Sequence, residues 1–235
     1  MPQEQMKDKQ VAAYLHLDLR EVQKLAQRGG IPCRKIHGEF VFRKGEIDTW
    51  VERQMPHLGA ERLRAIEKGV SNHHGIDRET MLVWPLIPDG GIIYPLKATS
   101  RDAVIRQLVK AADTAGLVYA ADILMKEIRD REELCSTAFM PGVALPHPRH
   151  PLPYDIEASF VIVGMTASGI PYGSVDGSLT RLFLLICCKD DRTHLHVLAR
   201  IAQMLDDVQT LDAAFSAGSR EELAEILRGR EEQVI

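Results

Sequence analysis

Two short apolar runs constrain this chain more than any other feature in it. ASFVIVG (Ala158–Gly164) and LFLLIC (Leu182–Cys187) are bounded by turn residues. Runs of that length read as central strands buried on both faces. Helical periods surround them. Val104, Ile105, Leu108, Val109 and Ala112 form one apolar stripe behind an N-cap at Thr99 or Ser100. A second helix over about 120–133 is expected to bury Ile123, Leu124 and Ile128, and three more fall near 194–206, 208–217 and 220–228. Val143–Leu145 reads as a further short strand. Helices interleaved with buried strands predict an α/β layer architecture, here for a body spanning 81–235.

Neither run approaches the roughly 20 residues of a bilayer span. The opening MPQEQMKDKQ has no apolar core of the signal-peptide kind. No membrane insertion and a cytoplasmic location are therefore expected. The four cysteines (Cys33, Cys135, Cys187, Cys188) form no CxxC pair and fit reduced thiols. A composition of 45% apolar and 26% charged residues is that of a globular chain, and its net charge of −4 excludes a chain that coats nucleic acid as a whole. The charge is uneven, however. Residues 1–70 carry 13 Lys and Arg and 10 Asp and Glu, a formal +3, which leaves −7 for the rest. A mildly basic head on an acidic body points to two domains with different partners.

The head, residues 1–55, reads as helix, turn, helix, hairpin, helix. Val11, Ala12 and Leu15 mark the first helix. Asp18 with Glu21 forms a capping box for a second over about 19–28, which buries Val22, Leu25 and Ala26 and ends at Gly29-Gly30. IPCRKIHGEFVFRK is a hairpin with its turn at His37-Gly38. A last helix carries Ile47, Trp50 and Val51 on one face. This order of elements, with Gly-Gly-Ile-Pro and Asp-Thr-Trp-Val, resembles excisionase-type and MerR-type winged helix-turn-helix domains over about Asp8–Arg53. The resemblance implies a second helix in the major groove and a wing on phosphates. Arg20, Gln23, Lys24, Gln27 and Arg28 would then face DNA from the helix, with Arg34, Lys35 and His37 on the wing. Arg and Gln suit base edges and Lys suits phosphate. The same solvated face also serves protein docking. One such unit makes few base contacts, so specific DNA binding calls for a homodimer or a second module.

Residues 56–80 read as a linker with a short helix around 58–68 and a turn-rich SNHHG. Adjacent His73-His74 in a polar loop read as solvated rather than as metal ligands.

The chemistry gathers at RDREELCSTAFMPGVALPHPRH. Val143–Leu145 runs into Pro146, whose fixed φ restrains the strand end that presents His147. Downstream, Asp190-Asp191-Arg192-Thr193 leads into His194 at the start of a helix, with Thr193 as the expected N-cap. GVALPH, together with HLHVLARIAQML, is similar to EIIA domains of the fructose/mannitol and nitrogen-regulatory type of the bacterial phosphotransferase system, over roughly 92–229. The resemblance implies a mixed β-sheet with helices on both faces. It also implies a phosphoryl group accepted on His147, with Arg131, Ser136, Thr137 and His194 around it, and a histidine phosphocarrier protein as donor. No cofactor or metal is implied. A neutral imidazole is a nucleophile at pH 7, and Arg131, the two hydroxyls and His194 supply donors for phosphoryl oxygens. The chain departs from the family pattern at Pro148, Ala138 and Cys135, where glycine is usual, and in bulky Phe139 and Met140. Each departure stiffens or crowds the loop. His150, His196, Cys187 and Cys188 invite a zinc reading, but Cys187-Cys188 falls in a buried strand and lacks zinc spacing. The expectation is a regulator whose head acts on DNA or on a target protein under control of His147. The competing class is a DNA-binding or protein-docking regulator whose body is never phosphorylated.

Overall fold

The computed structural model describes residues 4–235. The head begins with a strand that no sequence period announces, β1 (Gln5–Lys7), followed by α1 (Asp8–Leu15), α2 (Leu19–Gln27), β2 (Arg34–Ile36), β3 (Glu39–Arg43) and α3 (Lys44–Gln54). The strands form an antiparallel sheet in the order β1-β3-β2, with Met6 opposite Phe42 and both side chains buried. His37 and Gly38 take positive φ (49° and 88°). This is the left-handed pair that a two-residue hairpin turn requires. Asp18 caps α2 by accepting from the Arg20 amide at 2.7 Å. The reciprocal bond expected from Glu21 is not formed among the described residues: the Asp18 carboxylate reaches the Arg20 amide instead, and the Glu21 amide bonds to the Asp18 carbonyl at 3.0 Å.

The connector is more structured than its sequence indicates. After a 3-10 turn at Met55–His57 comes α4 (Ala60–His74), which Gly75 terminates at φ 67°. One face of α4 packs on α1: a Cβ at Gly69 would lie 2.3 Å from the Tyr14 carbonyl oxygen, so only glycine permits this approach. The expected SNHHG loop is the last turn of this helix. His73 and His74 pack edge-on against the Tyr14 ring rather than lying in a solvated loop.

The body comprises β4 (Ile92–Ile93), α5 (Arg101–Thr114), α6 (Ala121–Leu134), β5 (Ala138–Met140), β6 (Val143–Ala144), β7 (Phe160–Ile170), β8 (Thr180–Cys187), α7 (Asp191–Leu205), α8 (Val208–Ser216) and α9 (Arg220–Val234). The strands make a five-stranded sheet, β4-β7-β8-β6-β5. The two outer steps onto the β7–β8 pair are parallel and the β7–β8 pair is antiparallel, so the sheet is mixed. Along β7 the side chains alternate between two cores. Phe160 and Ile162 belong to one core with Leu108 of α5 and Ile128 of α6, whereas Val161 and Val163 belong to the other with Leu198 of α7 and Leu227 of α9. This alternation is the strand period of two put to work by helices on both faces. The second core runs without interruption through Leu63 and Ile66 of α4 into Val11, Leu15, Phe42 and Ile47 of the head.

Two local expectations are corrected. Ile123 is 49% exposed, because the buried stripe of α6 runs through Leu124 and Ile128 instead. The N-cap of α7 is Asp190, not Thr193: its carboxylate accepts from the Thr193 amide at 2.9 Å, so His194 lies within the first turn.

A fully buried ion pair ties α4 to α7. Arg200 donates through Nε to Glu67 at 2.7 Å, and Gln203 and Arg78 donate to the same carboxylate at 2.8 and 3.0 Å. Arg200 also approaches Glu231 of α9 at 3.8 Å. Glu231 in turn accepts from the amides of Val83 and Trp84 at 2.5 and 2.8 Å.

Candidate functional site

His147 follows the C-terminal end of β6, on the side of the sheet where the parallel β8 also ends. Its approach is fixed on both sides: the Leu145 amide donates to the Thr137 carbonyl at 3.0 Å, and the Ile186 amide donates to the Pro146 carbonyl at 2.9 Å. The imidazole is only 4% exposed. Its Nδ1 lies 2.7 Å from the Leu145 carbonyl. A carbonyl only accepts, so Nδ1 carries the proton and Nε2 keeps its lone pair. Arg131 of α6 donates through Nε to that Nε2 at 3.1 Å and through Nη1 to the Cys135 carbonyl at 3.0 Å. The second bond fixes the guanidinium at the Nε2 edge of the ring.

His194 stands on the other side, its ring centroid 5.1 Å from that of His147. Between them lies a group that belongs to the head. Glu52 of α3 places one carboxylate oxygen 3.3 Å from His194 Nε2 and the other 3.7 Å from His147 Nε2, with its side chain 13% exposed.

The charges of the three groups follow from this geometry. Burial opposes ionisation of Glu52, but the two imidazoles overcome it and hold the carboxyl well below the usual range. Burial also dominates at His147 and lowers its pKa despite Glu52, so that ring is neutral at pH 7. Burial alone would lower His194 as well; contacts with Cys188 and Glu52 outweigh it and push this ring up to about 10. The proton therefore sits on His194, facing the Glu52 carboxylate, while the Nε2 lone pair of neutral His147 accepts from Arg131.

Ser136 and Thr137 line the adjoining cleft, about 570 Å³ in volume, together with Glu52, Arg131, Cys135 and His147. Their hydroxyls are committed elsewhere. Ser136 donates to the Tyr172 carbonyl at 3.0 Å, and Thr137 donates to the buried Glu132 carboxylate, which also accepts from the Tyr172 hydroxyl at 3.2 Å. Of the five residues singled out from sequence, Arg131, His147 and His194 converge, and the Ser-Thr pair forms the wall.

Glu52, His147 and His194 offer three ligand atoms within 4.8 Å of one another, a set that could hold a metal. The His147 lone pair, however, already accepts from a guanidinium, and His194 is protonated. A divalent cation would have to displace both, whereas an anion finds its donors in place. The residues of the sequence-based zinc reading are occupied otherwise: His196 is buried between Ser71 Oγ (3.0 Å) and the Met81 carbonyl (2.9 Å), Cys187 and Cys188 are buried, and His150 is exposed.

On the head, Arg20, Lys24, Gln27, Arg28, Arg34, Lys35 and His37 are all exposed. Gln23 is half-buried, because its amide donates to Asp8 at 2.7 Å.

The sequence offered no signal for Glu52. It follows Val51 near the end of a helix, where a carboxylate reads as solvated, and its partners come from distant parts of the chain. Glu132 was equally silent.

The fold and this cluster define a two-part protein: a winged helix-turn-helix head joined to a mixed-sheet α/β body with a buried imidazole–guanidinium cluster at the strand ends. The family described as "Phosphoenolpyruvate-dependent sugar phosphotransferase system, EIIA 2" matches residues 86–229, and a helix-turn-helix domain family matches residues 6–55. The chain belongs to the EIIA 2 family. It is 27% identical over 142 residues to a mannitol-specific phosphotransferase enzyme IIA component of Staphylococcus aureus, covering 60% of this chain and 94% of that one. It is 31% identical over 130 residues to a nitrogen regulatory protein of Bradyrhizobium diazoefficiens, covering 54% and 82%. The crystal structure of nitrogen regulatory protein IIA-Ntr from Neisseria meningitidis superimposes with a TM-score of 0.56 at 20% identity, covering 62% of this chain and 98% of that one. No helix among the described residues is long and apolar enough to cross a membrane.

Proposed function

We propose that this protein is a phosphoryl carrier of the EIIA type that accepts its group on Nε2 of His147 and regulates through its helix-turn-helix head. The observation that carries the reading is the tautomer of His147. With Nδ1 committed to the Leu145 carbonyl, the Nε2 lone pair faces Arg131 and the protonated His194. In the transfer, that lone pair attacks the phosphorus of the donor's phosphohistidine. The donor's N–P bond breaks, its electron pair returns to the donor imidazole, and a new N–P bond forms at Nε2. Arg131 and His194 meet the charge on the phosphoryl oxygens. The cleft rim exposes apolar Leu134 and Val175, which suits a protein donor such as a histidine phosphocarrier. The head's exposed basic side chains on α2 and the wing support DNA as its target.

The test incubates the full chain with a histidine phosphocarrier protein, its kinase and labelled phosphoenolpyruvate. Acid-labile label is expected on the wild type and none on His147→Ala. Label retained by His147→Ala, or no label on the wild type at any donor concentration, overturns the reading.

A further inference from the structure

Glu52 is the group that neither the head's folding nor the carrier reading uses. Three other acids of the head pair within it, Asp48 with Lys44 at 2.7 Å, Glu39 with Lys7 at 3.0 Å and Glu46 with Arg43 at 3.4 Å, and Glu4 lies 3.4 Å from His73 of the neighbouring α4. Among the described residues, the charged partner of Glu52 is His194 of the body, at 3.3 Å, and its other oxygen lies 3.7 Å from Nε2 of neutral His147. A carboxylate this well covered is costly unless its partners compensate. That partner, His194, is one of the donors arranged for a phosphoryl group, and Arg131 is the other.

We propose that Glu52 is an internal stand-in for the phosphoryl group, so that the head and the phosphoryl donor compete for His147 and phosphorylation drives the carboxylate out of the cluster. The proposal rests on His147 being the acceptor. Three observations support it. The carboxylate lies 3.3 Å from Nε2 of His194 and 3.7 Å from Nε2 of His147, the atom that Arg131 contacts, in the space where phosphoryl oxygens would find their donors. Glu52 of α3 also lies against the ring, which is buried, and lines the cleft that remains beside it. Finally, a fixed negative charge next to the nucleophile repels an incoming anionic group and opposes the charge of the transition state. Once His147 is phosphorylated, a group of about −1.5 to −2 charges takes the same donors. The carboxylate must then leave, and α3 moves with it.

This mechanism gives the fused head a purpose in the fold. The chain from nucleophile to wing is short: His147, Glu52, α3, then β3, which directly precedes α3 and forms the hairpin with β2. The reading face of α2 stays exposed while Glu52 is seated, so regulation acts by shifting α3 and the wing rather than by covering the DNA-facing residues.

The opposite reading makes Glu52 a helper that keeps His194 protonated for transfer. The sign of one rate separates the two. The full-length wild type, Glu52→Gln and Glu52→Ala are labelled side by side from a limiting phosphocarrier. Glu52→Gln keeps the volume, and circular dichroism checks that each variant is folded. Losing the charged contact with His194 frees the acceptor, and the accessible fraction sets the observed rate. Labelling of Glu52→Gln is therefore expected to be on the order of tenfold to a hundredfold faster than wild type. Hydrogen exchange across residues 44–57 is expected to rise on phosphorylation of the wild type and to change little in Glu52→Gln. Equal rates, or slower labelling of both variants, overturn the stand-in while leaving the carrier intact. Absence of label on every variant removes the acceptor itself, and the stand-in with it. Unchanged exchange in the phosphorylated wild type refutes displacement of α3.

Discussion

Replacing Arg200 with methionine tests whether α4 is bolted to the body or merely lies on it. Arg200 and Glu67 have side chains with no exposure, and the guanidinium donates to Glu67, donates to the Arg78 carbonyl at 2.9 Å and approaches Glu231. Burial alone would raise the pKa of Glu67; Arg200, Gln203 and His196 lower it, so the carboxylate is ionised. Methionine preserves most of the volume and removes the cation. Two carboxylates then remain inside with only amide donors, Arg78 and His196 near them. Breaking one side of a buried pair costs roughly 3–5 kcal/mol. At about 2–4 °C of Tm per kcal/mol for a chain of this size, the expected fall is about 6–20 °C. Thermal and urea unfolding followed by circular dichroism measure it. The double variant Glu67→Gln with Arg200→Met removes both charges and is expected to recover at least about 1 kcal/mol relative to Arg200→Met. A loss below about 1 kcal/mol for the single variant, or a double variant as unstable as the sum of the two singles, refutes the claim that this pair fixes α4. Because the pKa of Glu67 is lowered by folding, its share of stability is present above the unfolded value near 4.3 and is lost as pH falls through the folded value.

Further outcomes follow from other sites. Gly69→Ala places a methyl 2.3 Å from the Tyr14 carbonyl oxygen, so it should destabilise by about 1–3 kcal/mol despite alanine's better helix propensity, as read by urea midpoint. His194 is raised by folding, so its contribution to seating Glu52 is complete below the unfolded value near 6.5 and disappears as pH rises through about 10. Its charged neighbour is Glu52, with Cys188, neutral His147 and cationic Arg131 also close by, and the protection of amides across residues 44–57, relative to their intrinsic exchange at each pH, is expected to be lower at pH 10 than at pH 7. Binding of the head to its DNA site should weaken steeply with salt and fall further in Arg20→Ala and Lys24→Ala; a titration in which both variants match wild type removes α2 as the reading helix. Gly38→Val forces a branched side chain to φ 88° and is expected to cost about 1–3 kcal/mol, measured by thermal unfolding.

Much of the body was legible because its signals are local. The runs at Ala158–Gly164 and Leu182–Cys187 became β7 and β8, although β7 extends to Ile170, through residues whose turn-like composition hides a strand. Of the two N-caps the sequence offered for α5, Thr99 and Ser100, it is Ser100 that accepts from the Ala103 amide. The His37-Gly38 turn follows from the conformational freedom of its second residue and the hairpin around it. Errors arose where one residue had several neighbours competing for the same role, as at Thr193, where Asp190 reached the free amide first.

Sequence by itself determined the order of helices and strands, the proline-braced strand end that carries His147, and the basic surface of α2. Each of these depends on residues a few positions apart, where periodicity, caps and fixed φ angles act. Tertiary structure alone decided what faces His147. It made the presumed linker a buried helix held by Glu67 and Arg200, turned the Ser-Thr hydroxyls away from the ring, and brought Glu52 of the head onto two histidines of the body. Charge says only that a carboxylate needs a partner; which imidazole it meets is set by the packing of α4 between α1 and α7, and no local pattern encodes that.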